Sequence, residues 1–202
     1  IFCPQCRTAI AQVEMEDKKC CSTLNYLKAK LEDGTFVIYA TTRPELLYAC
    51  VGVSINEKGT YVSIAVNQEK WIVSKDSLEK FKDFDCKIIK EFFGRELIGK
   101  KVTIPISENV VKITHDELTE TNYGTGIVYY CTYGGMDCIE WMTRHSDVKA
   151  INIMGMDGRY NELCLKYKGM TSEEARKAAL EDLEKAGCLI KKDQIEHIVN
   201  TH

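Results

Sequence analysis

The sequence predicts an α+β domain around a closed or nearly closed β-core, and three observations support this class. Short runs rich in β-branched and aromatic residues follow one another from position 23 to position 132. Helical patterns are concentrated after position 132, and strands followed by helices are typical of α+β domains. No repeat or Pro/Gly linker divides residues 22–202, so we expect a single globular unit there, preceded by a half zinc-knuckle and linker in residues 1–21.

The β-type runs are short and closely spaced, as in sandwiches and barrels. One short helix is expected to interrupt them at SKDSLEKFKDF (74–84). The runs are TLNYLKA (23–29), TFVIYAT (35–41), CVGVSI (50–55), YVSIAV (61–66), WIVS (71–74), CKIIKEF (86–92), KVTIPI (101–106), NVVKITH (109–115) and GIVYYCT (126–132).

Two longer helices are predicted after the last of these runs. MDCIEWMTRH has the pattern of a capping box, with Asp137 as N-cap and Glu140 three residues later. TSEEARKAALEDLEKAGC has the same box at Thr171 and Glu174, an apolar stripe of alanines and leucines, and Gly187 as a C′ stop. Strand-like CLIKK and QIEHIVNTH close the chain.

The composition restricts the function. A net charge of -3 and a pI near 5.9 argue against a broad basic face for nucleic acid, although a single-stranded end can be held by stacking and a few hydrogen bonds. No apolar run approaches the roughly 18 residues of a membrane helix, and no signal peptide is visible. Ten cysteines without a secretory signal indicate a reducing, cytoplasmic compartment. Because the chain begins with Ile1, we expect a piece of a longer protein or a missing beginning.

The stretch ATTRPE places many hydrogen-bonding groups at the end of a β-type run. Thr41 and Thr42 offer hydroxyls, Arg43 is a permanent cation, and Pro44 ends the strand ladder because it has no N–H donor. Local chemistry leaves two interpretations open. The segment binds a polar ligand, or it is a connection in which the threonines cap the next turn and Arg43 pairs with Glu45.

A second polar segment, NYGTGIVYYCTYGGMDCIEW (122–141), combines glycines with an acidic residue. Gly124 and Gly126 bracket Thr125 before an apolar run, which allows close approach of a ligand to the backbone, although this pattern is usually a bulge or tight turn. A pair of glycines then precedes Asp137, whose alternative role is that of N-cap.

The run CPQC has the spacing of half a tetrahedral zinc site. Cys3 and Cys6 supply two thiols, and no second cysteine pair has suitable spacing. His197 or His202 at the other end suggests a knuckle that closes near both termini. We expect metal binding here only with ligands beyond His202, in the full-length protein.

The remaining motifs give no protein nucleophile. The sequence contains no G-x-S-x-G elbow, P-loop or H-E-x-x-H, and its four histidines form no pattern with a serine or cysteine. Any hydrolysis is therefore expected to use a positioned water.

Taken together and in this order, ATTRPE, YGTGIV and the helix at Asp137 resemble the editing domain inserted into the class I aminoacyl-tRNA synthetases for valine, isoleucine and leucine. TTRPELLYACVGV, GTGIVYYCTYGG with its following EW, and IEHIVNTH are most similar to the valyl branch of archaeal type. The resemblance covers essentially the whole chain. It implies a β-barrel decorated by helices that hydrolyses, without a cofactor, the ester between a wrong amino acid and the 3′-terminal adenosine of tRNA.

For the valyl branch, the resemblance implies threonine as the wrong amino acid, the acceptor end of tRNA(Val) and the rest of the parent synthetase as partners, and no membrane. Thr41, Thr42 and the glycine-rich backbone would offer donors to the ester and ribose, Asp137 would bind the α-ammonium, and a water would be held between them. Arg43 would meet a tRNA phosphate or buttress Glu45. Further substrate or tRNA contacts fall on Tyr123, Gly124, Thr125, Gly126, Cys131 and Cys138.

The sequence departs from the family pattern at several positions. Leu46 stands where many members have a further threonine, and Tyr129 and Cys131 lie where bacterial relatives have a different string. An ungapped match puts the family's aspartate at Cys138, one residue beyond Asp137, and we assign the role to Asp137 on chemical grounds. Two alternatives stay open: an isoleucyl-type domain that removes valine, and a module that holds the acceptor end without catalysis.

Overall fold

A computed structural model describes residues 2–201, without the side chains of residues 12, 197, 200 and 201. The strands are β1 (Phe2–Cys3), β2 (Thr8–Ala9), β3 (Glu16–Leu31), β4 (Phe36–Thr41), β5 (Cys50–Ile55), β6 (Thr60–Val66), β7 (Glu69–Ser74), β8 (Cys86–Phe93), β9 (Lys101–Thr103), β10 (Val110–His115), β11 (Ile127–Cys131) and β12 (Leu189–Thr201). The α-helices are α1 (Met136–Arg144) and α2 (Ser172–Lys185), and 3-10 helices span Gln12–Glu14, Pro44–Ala49, Lys75–Phe81, Gly94–Glu96 and Glu162–Tyr167. Every β-type run identified in the sequence contributes to one of the strands β3 to β11, which confirms these predictions.

Most strands belong to one large sheet. Its order is β11-β5-β10-β9-β3-β4-β7-β6-β8, and β12 pairs with β3 outside this path. Neighbours are antiparallel except for the pairs β5–β10 and β4–β7. Strands β1 and β2 form a separate hairpin. With α1 and α2 added, the predicted α+β class is confirmed.

The sheet curls around one core but does not close into a barrel. Strand β11 is five places from β4 along the sheet, yet the rings of Tyr129 and Tyr39 lie 5.0 Å apart. In the described part of the chain the two end strands, β11 and β8, do not pair. Just before β11, the Thr125 carbonyl accepts a hydrogen bond from the Ser74 N–H (2.9 Å), so a turn contact links this segment to the end of β7.

Two packed clusters of buried side chains fix the position of the end of β4. The inner face of the sheet buries side chains such as Leu27, Val53 and Ile113, and fully burying one such side chain contributes about 1.5–3 kcal/mol. A second cluster joins α2, through Ala175 and Ala179, to the 3-10 helix that follows β4. The end of β4 is therefore fixed from both sides.

Of the two predicted helix caps, one is present in the structure and the other is not. At α2, the capping box of Thr171 and Glu174 is present, which confirms the prediction. At α1, the prediction of Asp137 as N-cap is wrong: the N-cap is Gly135, whose backbone is extended, and no side chain caps the helix. Because the chain enters α1 directly from the glycine pair, Asp137 falls in the first turn instead and its carboxylate remains exposed.

The chain ends form a long ribbon. Strand β3 pairs with β12 from Glu16 opposite Thr201 to Leu27 opposite Leu189, so the predicted boundary between residues 21 and 22 lies inside a strand. The two strand-like runs at the C-terminus are one continuous strand, β12. Within residues 2–201, neither α-helix has the length and apolar composition needed to cross a membrane.

Candidate functional site

The end of β4 and the segment from β11 to α1 face each other across a cavity of about 300 Å³. Thr41, Thr42 and Arg43 line one side. Tyr129 and Asp137, from the other segment, line the same cavity. The two polar segments identified in the sequence, far apart along the chain, therefore share one hollow.

Thr41 holds the turn at the end of β4. Its Oγ1 accepts a hydrogen bond from the Arg43 N–H at 2.9 Å and lies 2.8 Å from the Tyr129 hydroxyl. The Tyr129 hydroxyl donates its single proton to the Arg43 carbonyl at 3.1 Å, so the proton in the Thr41–Tyr129 bond comes from Thr41. Thr41 thus keeps one acceptor lone pair for a ligand, and no free donor.

Thr42 presents the available hydroxyl. Its side chain is half-buried and lines the cavity, and among the described residues it makes no hydrogen bond. A threonine hydroxyl donates once and accepts twice. Both capacities are open to a ligand or water at this position.

Arg43 joins the two sides of the cavity. Its Nη1 donates to the Gly134 carbonyl at 2.7 Å, and its Nε lies 3.5 Å from Glu45 Oε1. The guanidinium therefore ties the turn after β4 to the glycine pair before α1. This contact occupies one of its donors and gives Arg43 a structural role in the arrangement seen here.

Glu45 lies beneath the cavity, outside its lining, and is fully buried. Arg176 of α2 binds both of its carboxylate oxygens, at 3.0 Å from Nε and 2.7 Å from Nη2. The hydrogen bonds to Glu45 raise the pKa of the Arg176 guanidinium. The carboxylate is thus saturated from the protein side.

Asp137 is the exposed carboxylate of the cavity. It lies in the first turn of α1, and no hydrogen bond from the described residues holds it. Asp137 also borders a second cavity of about 350 Å³, which shares Tyr123 and Tyr130 with the lining of the first. An ammonium group in either cavity can reach it.

Cys131 and Cys138 both line the cavity, at the end of β11 and in the first turn of α1. A hydrogen bond from the Cys131 thiol lowers the pKa of Cys138 to about 7. Burial raises the pKa of the Cys131 thiol well above its usual value. Both sequence candidates for the amine-binding position, Asp137 and Cys138, therefore lie in the same hollow.

The glycine segment before β11 lies outside the cavity lining. Gly126 has φ 72°, its carbonyl accepts from the Tyr61 hydroxyl at 2.7 Å, and a Cβ there would collide with Ser74. Thr125 is fully buried, and its hydroxyl donates to the carbonyl of the residue two positions later. The tight-turn interpretation of Gly124, Thr125 and Gly126 describes this geometry.

Tyr123, on the same segment, does border the cavity. Its side chain is 73% exposed and stands at the junction of the two hollows. A flat aromatic face open to solvent can stack on a nucleobase. The segment therefore contributes an aromatic surface rather than backbone donors.

Comparisons with known proteins agree on one family. The chain is 37% identical over 201 residues to the valine–tRNA ligase of Archaeoglobus fulgidus and 38% identical over 202 residues to that of Pyrococcus horikoshii; each match covers 100% of the chain and 19% of the relative. The fold matches the solved structure GlLeuRS-CP1 with a TM-score of 0.71 at 14% identity, over 85% of this chain and 99% of that one. It matches the editing domain of P. knowlesi cytosolic leucyl-tRNA synthetase with a TM-score of 0.68 at 13% identity, over 86% and 97%. The whole chain is related to a segment of archaeal valine–tRNA ligases, and it has the fold of leucyl-tRNA synthetase editing domains.

The resemblance found in the sequence is thereby confirmed, including its direction toward the archaeal valyl branch. The synthetase editing-domain type of fold is confirmed as well. The chain spans 19% of the length of the valine–tRNA ligases it matches. No family model matches the sequence.

Two residues that shape this site were not identified from the sequence. Tyr129 was noted only as a departure, yet its hydroxyl links β11 to the turn after β4. Arg176 lies 131 positions from Glu45 and has no local motif. A signal existed for the second: a glutamate inside an apolar segment needs a cationic partner, and Arg176 is the one arginine of α2 and adjoins the buried Ala175.

The proposed half zinc site lies at the N-terminal hairpin of the editing domain. The Cys6 N–H donates to Cys3 Sγ at 3.4 Å, which lowers the pKa of the Cys3 thiol. Two thiols in this turn suit a tetrahedral metal, but no third candidate ligand stands with them among the described residues. His202 lies outside the described residues, and the side chain of His197 is not described.

Proposed function

We propose that this chain hydrolyses the ester of mischarged threonyl-tRNA(Val), as the cytoplasmic editing domain of a valyl-tRNA synthetase. The observation that carries the proposal is the single cavity shared by Thr42 and Asp137. It brings a hydroxyl and a carboxylate, neither of them hydrogen-bonded by the described residues, into one hollow of about 300 Å³, a volume within the usual range for small-ligand sites. An aminoacyl ester needs both: a partner for its α-ammonium and donors for its carbonyl.

The need for such a site follows from the similarity of threonine and valine. An apolar pocket separates the two by only about a hundredfold, a limit for which valyl-tRNA synthetase is itself the usual example. A second pocket that hydrogen-bonds the threonine hydroxyl rejects valine, since valine would leave a buried polar group unpaired at a cost of about 1–3 kcal/mol. The relatives named above are valine–tRNA ligases, which favours threonine as the amino acid removed.

The residues divide the chemistry as follows. Asp137 binds the α-ammonium, because a fixed carboxylate forms a charge-assisted hydrogen bond with a free amine. Thr42 donates to the ester carbonyl or to the water that attacks it, and Tyr123 stacks on the terminal adenine. Water adds to the acyl carbon, the bond to the ribose oxygen breaks, and that oxygen takes a proton. Threonine and uncharged tRNA are the products.

Side-by-side hydrolysis of threonyl-tRNA(Val), valyl-tRNA(Val) and valyl-tRNA(Ile) tests the proposal. We expect this chain to accelerate loss of the threonyl ester and to leave both valyl esters close to their rates in buffer. Preferential loss of valyl-tRNA(Ile) would assign the domain to the isoleucyl type. Equal decay of all three, in an assay where the complete parent enzyme edits, would overturn the proposal.

One observation favours a second candidate, a module that holds the acceptor end without catalysis. The Asp137 carboxylate is exposed and unrestrained by hydrogen bonds from the described residues, and catalysis needs fixed groups. A chain that binds uncharged acceptor-end RNA but leaves the threonyl ester at its buffer rate would match this candidate.

A further inference from the structure

Lys80 lies outside the cavity and holds the segment that carries Tyr123. It belongs to the 3-10 helix Lys75–Phe81, and its side chain is half-buried. Its Nζ donates to the Asn122 carbonyl at 3.2 Å and to the Gly124 carbonyl at 2.5 Å. These are the carbonyls of the residues before and after Tyr123, so one ammonium group restrains the backbone on both sides of it.

The same helix also holds both ends of the 121–125 loop. The Ser74 hydroxyl donates to the Thr121 carbonyl, and the Thr121 hydroxyl donates to the Asp76 carboxylate. At the other end, the Ser74 N–H donates to the Thr125 carbonyl at 2.9 Å. Lys80 is therefore the middle contact of a three-point attachment.

A cation suits this middle position for a physical reason. Gly124 adopts the left-handed region, with φ 57°, and the loop thereby turns two carbonyls toward Lys80. Burial, and then repulsion from Lys191, lowers the pKa of the Lys80 ammonium. An ammonium partly removed from water forms stronger hydrogen bonds with the carbonyls that replace its hydration shell.

We infer that Lys80 is a positioning residue for the aromatic face of Tyr123, an inference that rests on the proposed function. The Tyr123 side chain is 73% exposed, so its direction depends on the backbone that carries it. A loop fixed in advance loses less conformational entropy when a base stacks on the ring. Lys80 thus acts on binding of the acceptor end and leaves the hydrolytic step unchanged.

The test compares Lys80→Met with Lys80→Arg, which restores a cation, and with Lys82→Met. Lys82 lies just beyond the same helix and pairs with Glu79, away from the loop, so it is a matched control. In Lys80→Met we expect hydrogen exchange of the Gly126 amide, which bonds to the Tyr123 carbonyl, to accelerate about tenfold. The KM for threonyl-tRNA is expected to rise about tenfold with kcat within about twofold.

A second readout needs no hydrolysis. Uncharged acceptor-end RNA with 2-aminopurine at its 3′ end loses fluorescence when the base stacks on Tyr123. We expect Lys80→Met to weaken this binding about tenfold, and to add little in the Tyr123→Ala background because both changes remove one interaction. Lys80→Arg should recover most of the affinity, and Lys82→Met should behave as the unchanged chain.

The outcomes separate this inference from the proposed function. Weaker RNA binding in Lys80→Met, in a chain that hydrolyses no ester, supports the positioning role and contradicts the catalysis. Several results would each overturn the positioning role. In Lys80→Met, hydrogen exchange and KM are unchanged, or the loss of RNA binding adds fully to that of Tyr123→Ala. Alternatively, Lys82→Met has an equal effect, or the unchanged chain does not quench the 2-aminopurine fluorescence. If Lys80→Met fails to fold, Lys80→Gln, which keeps an N–H donor, takes its place and must show a smaller shift in the same direction.

Discussion

Arg176 binds both carboxylate oxygens of the fully buried Glu45, at 3.0 and 2.7 Å. This pair fastens α2 to the 3-10 helix directly behind the ATTR turn. Arg43 extends the connection to the far side of the cavity through the Gly134 carbonyl. The shape of the candidate site therefore depends on residues that do not face a substrate.

Arg176→Met is expected to destabilise the fold by about 2–3 kcal/mol. Removing one partner of a fully buried pair costs about 3–5 kcal/mol, and the value is lower here because the Arg176 side chain is 41% exposed. Urea unfolding followed by circular dichroism measures the change. Arg159→Met, which loses only an exposed hydrogen bond, is the control; equal stability of the two variants would contradict the importance given to this pair.

Tyr129→Phe removes one hydroxyl that touches both Thr41 and Arg43. We expect a loss of about 1–3 kcal/mol in stability, since the Arg43 carbonyl is left without this donor, and a severalfold loss of ester hydrolysis as the turn loosens. Tyr133→Phe is the matched control, because that tyrosine is 65% exposed and lies outside the cavity lining. Thermal unfolding measures the stability, and single-turnover assays measure the hydrolysis. A Tyr129→Phe variant that is unchanged in both would contradict this role of the hydroxyl.

The Cys138 thiol is expected to react with iodoacetamide along a titration curve centred near pH 7, because the hydrogen bond from Cys131 lowers its pKa to about 7. Since this folded-state pKa lies below the usual 9.0, the thiolate stabilises the fold fully above pH 9, and that contribution is lost as the pH falls through 7. Cys131→Ala should move the curve toward higher pH. Peptide-resolved mass spectrometry measures both curves, and a midpoint near 9 in the unchanged chain would contradict the thiol–thiol hydrogen bond.

Two glycine substitutions in one turn should differ. Gly124→Ala meets no neighbour within 4 Å and carries only the backbone cost of the left-handed region, about 1–2 kcal/mol. Gly126→Ala adds a collision with Ser74, so we expect about 2–5 kcal/mol in total. Denaturant unfolding ranks the two variants. A Gly124→Ala variant as unstable as Gly126→Ala would contradict the packing described for this turn.

The strands and helix caps that depend on neighbours along the chain were the features best predicted from the sequence. The runs from β3 to β11 and the capping box at Thr171 are local patterns, and both are present. The two segments that line the cavity were recognised in the sequence as polar, but their meeting depends on the curl of the sheet. The Asp137 cap failed because Gly135 starts α1 earlier, and Arg176 was missed because its partner lies 131 positions away. Closure of the barrel is absent because the two end strands, β11 and β8, do not pair in the described part of the chain, and such long-range pairing has no local pattern in the sequence.

The rate of threonyl-tRNA(Val) hydrolysis by Asp137→Ala tests the central claim most directly. Asp147→Ala, which removes an exposed carboxylate just after α1 and outside both cavities, is the matched control. We predict that Asp137→Ala slows the reaction about thirtyfold to a hundredfold, the loss of one charge-assisted interaction with the reacting ester, while Asp147→Ala stays within about twofold of the unchanged chain. Equal rates for the two variants would contradict the claim that the hollow between Thr42 and Asp137 is where the ester is hydrolysed.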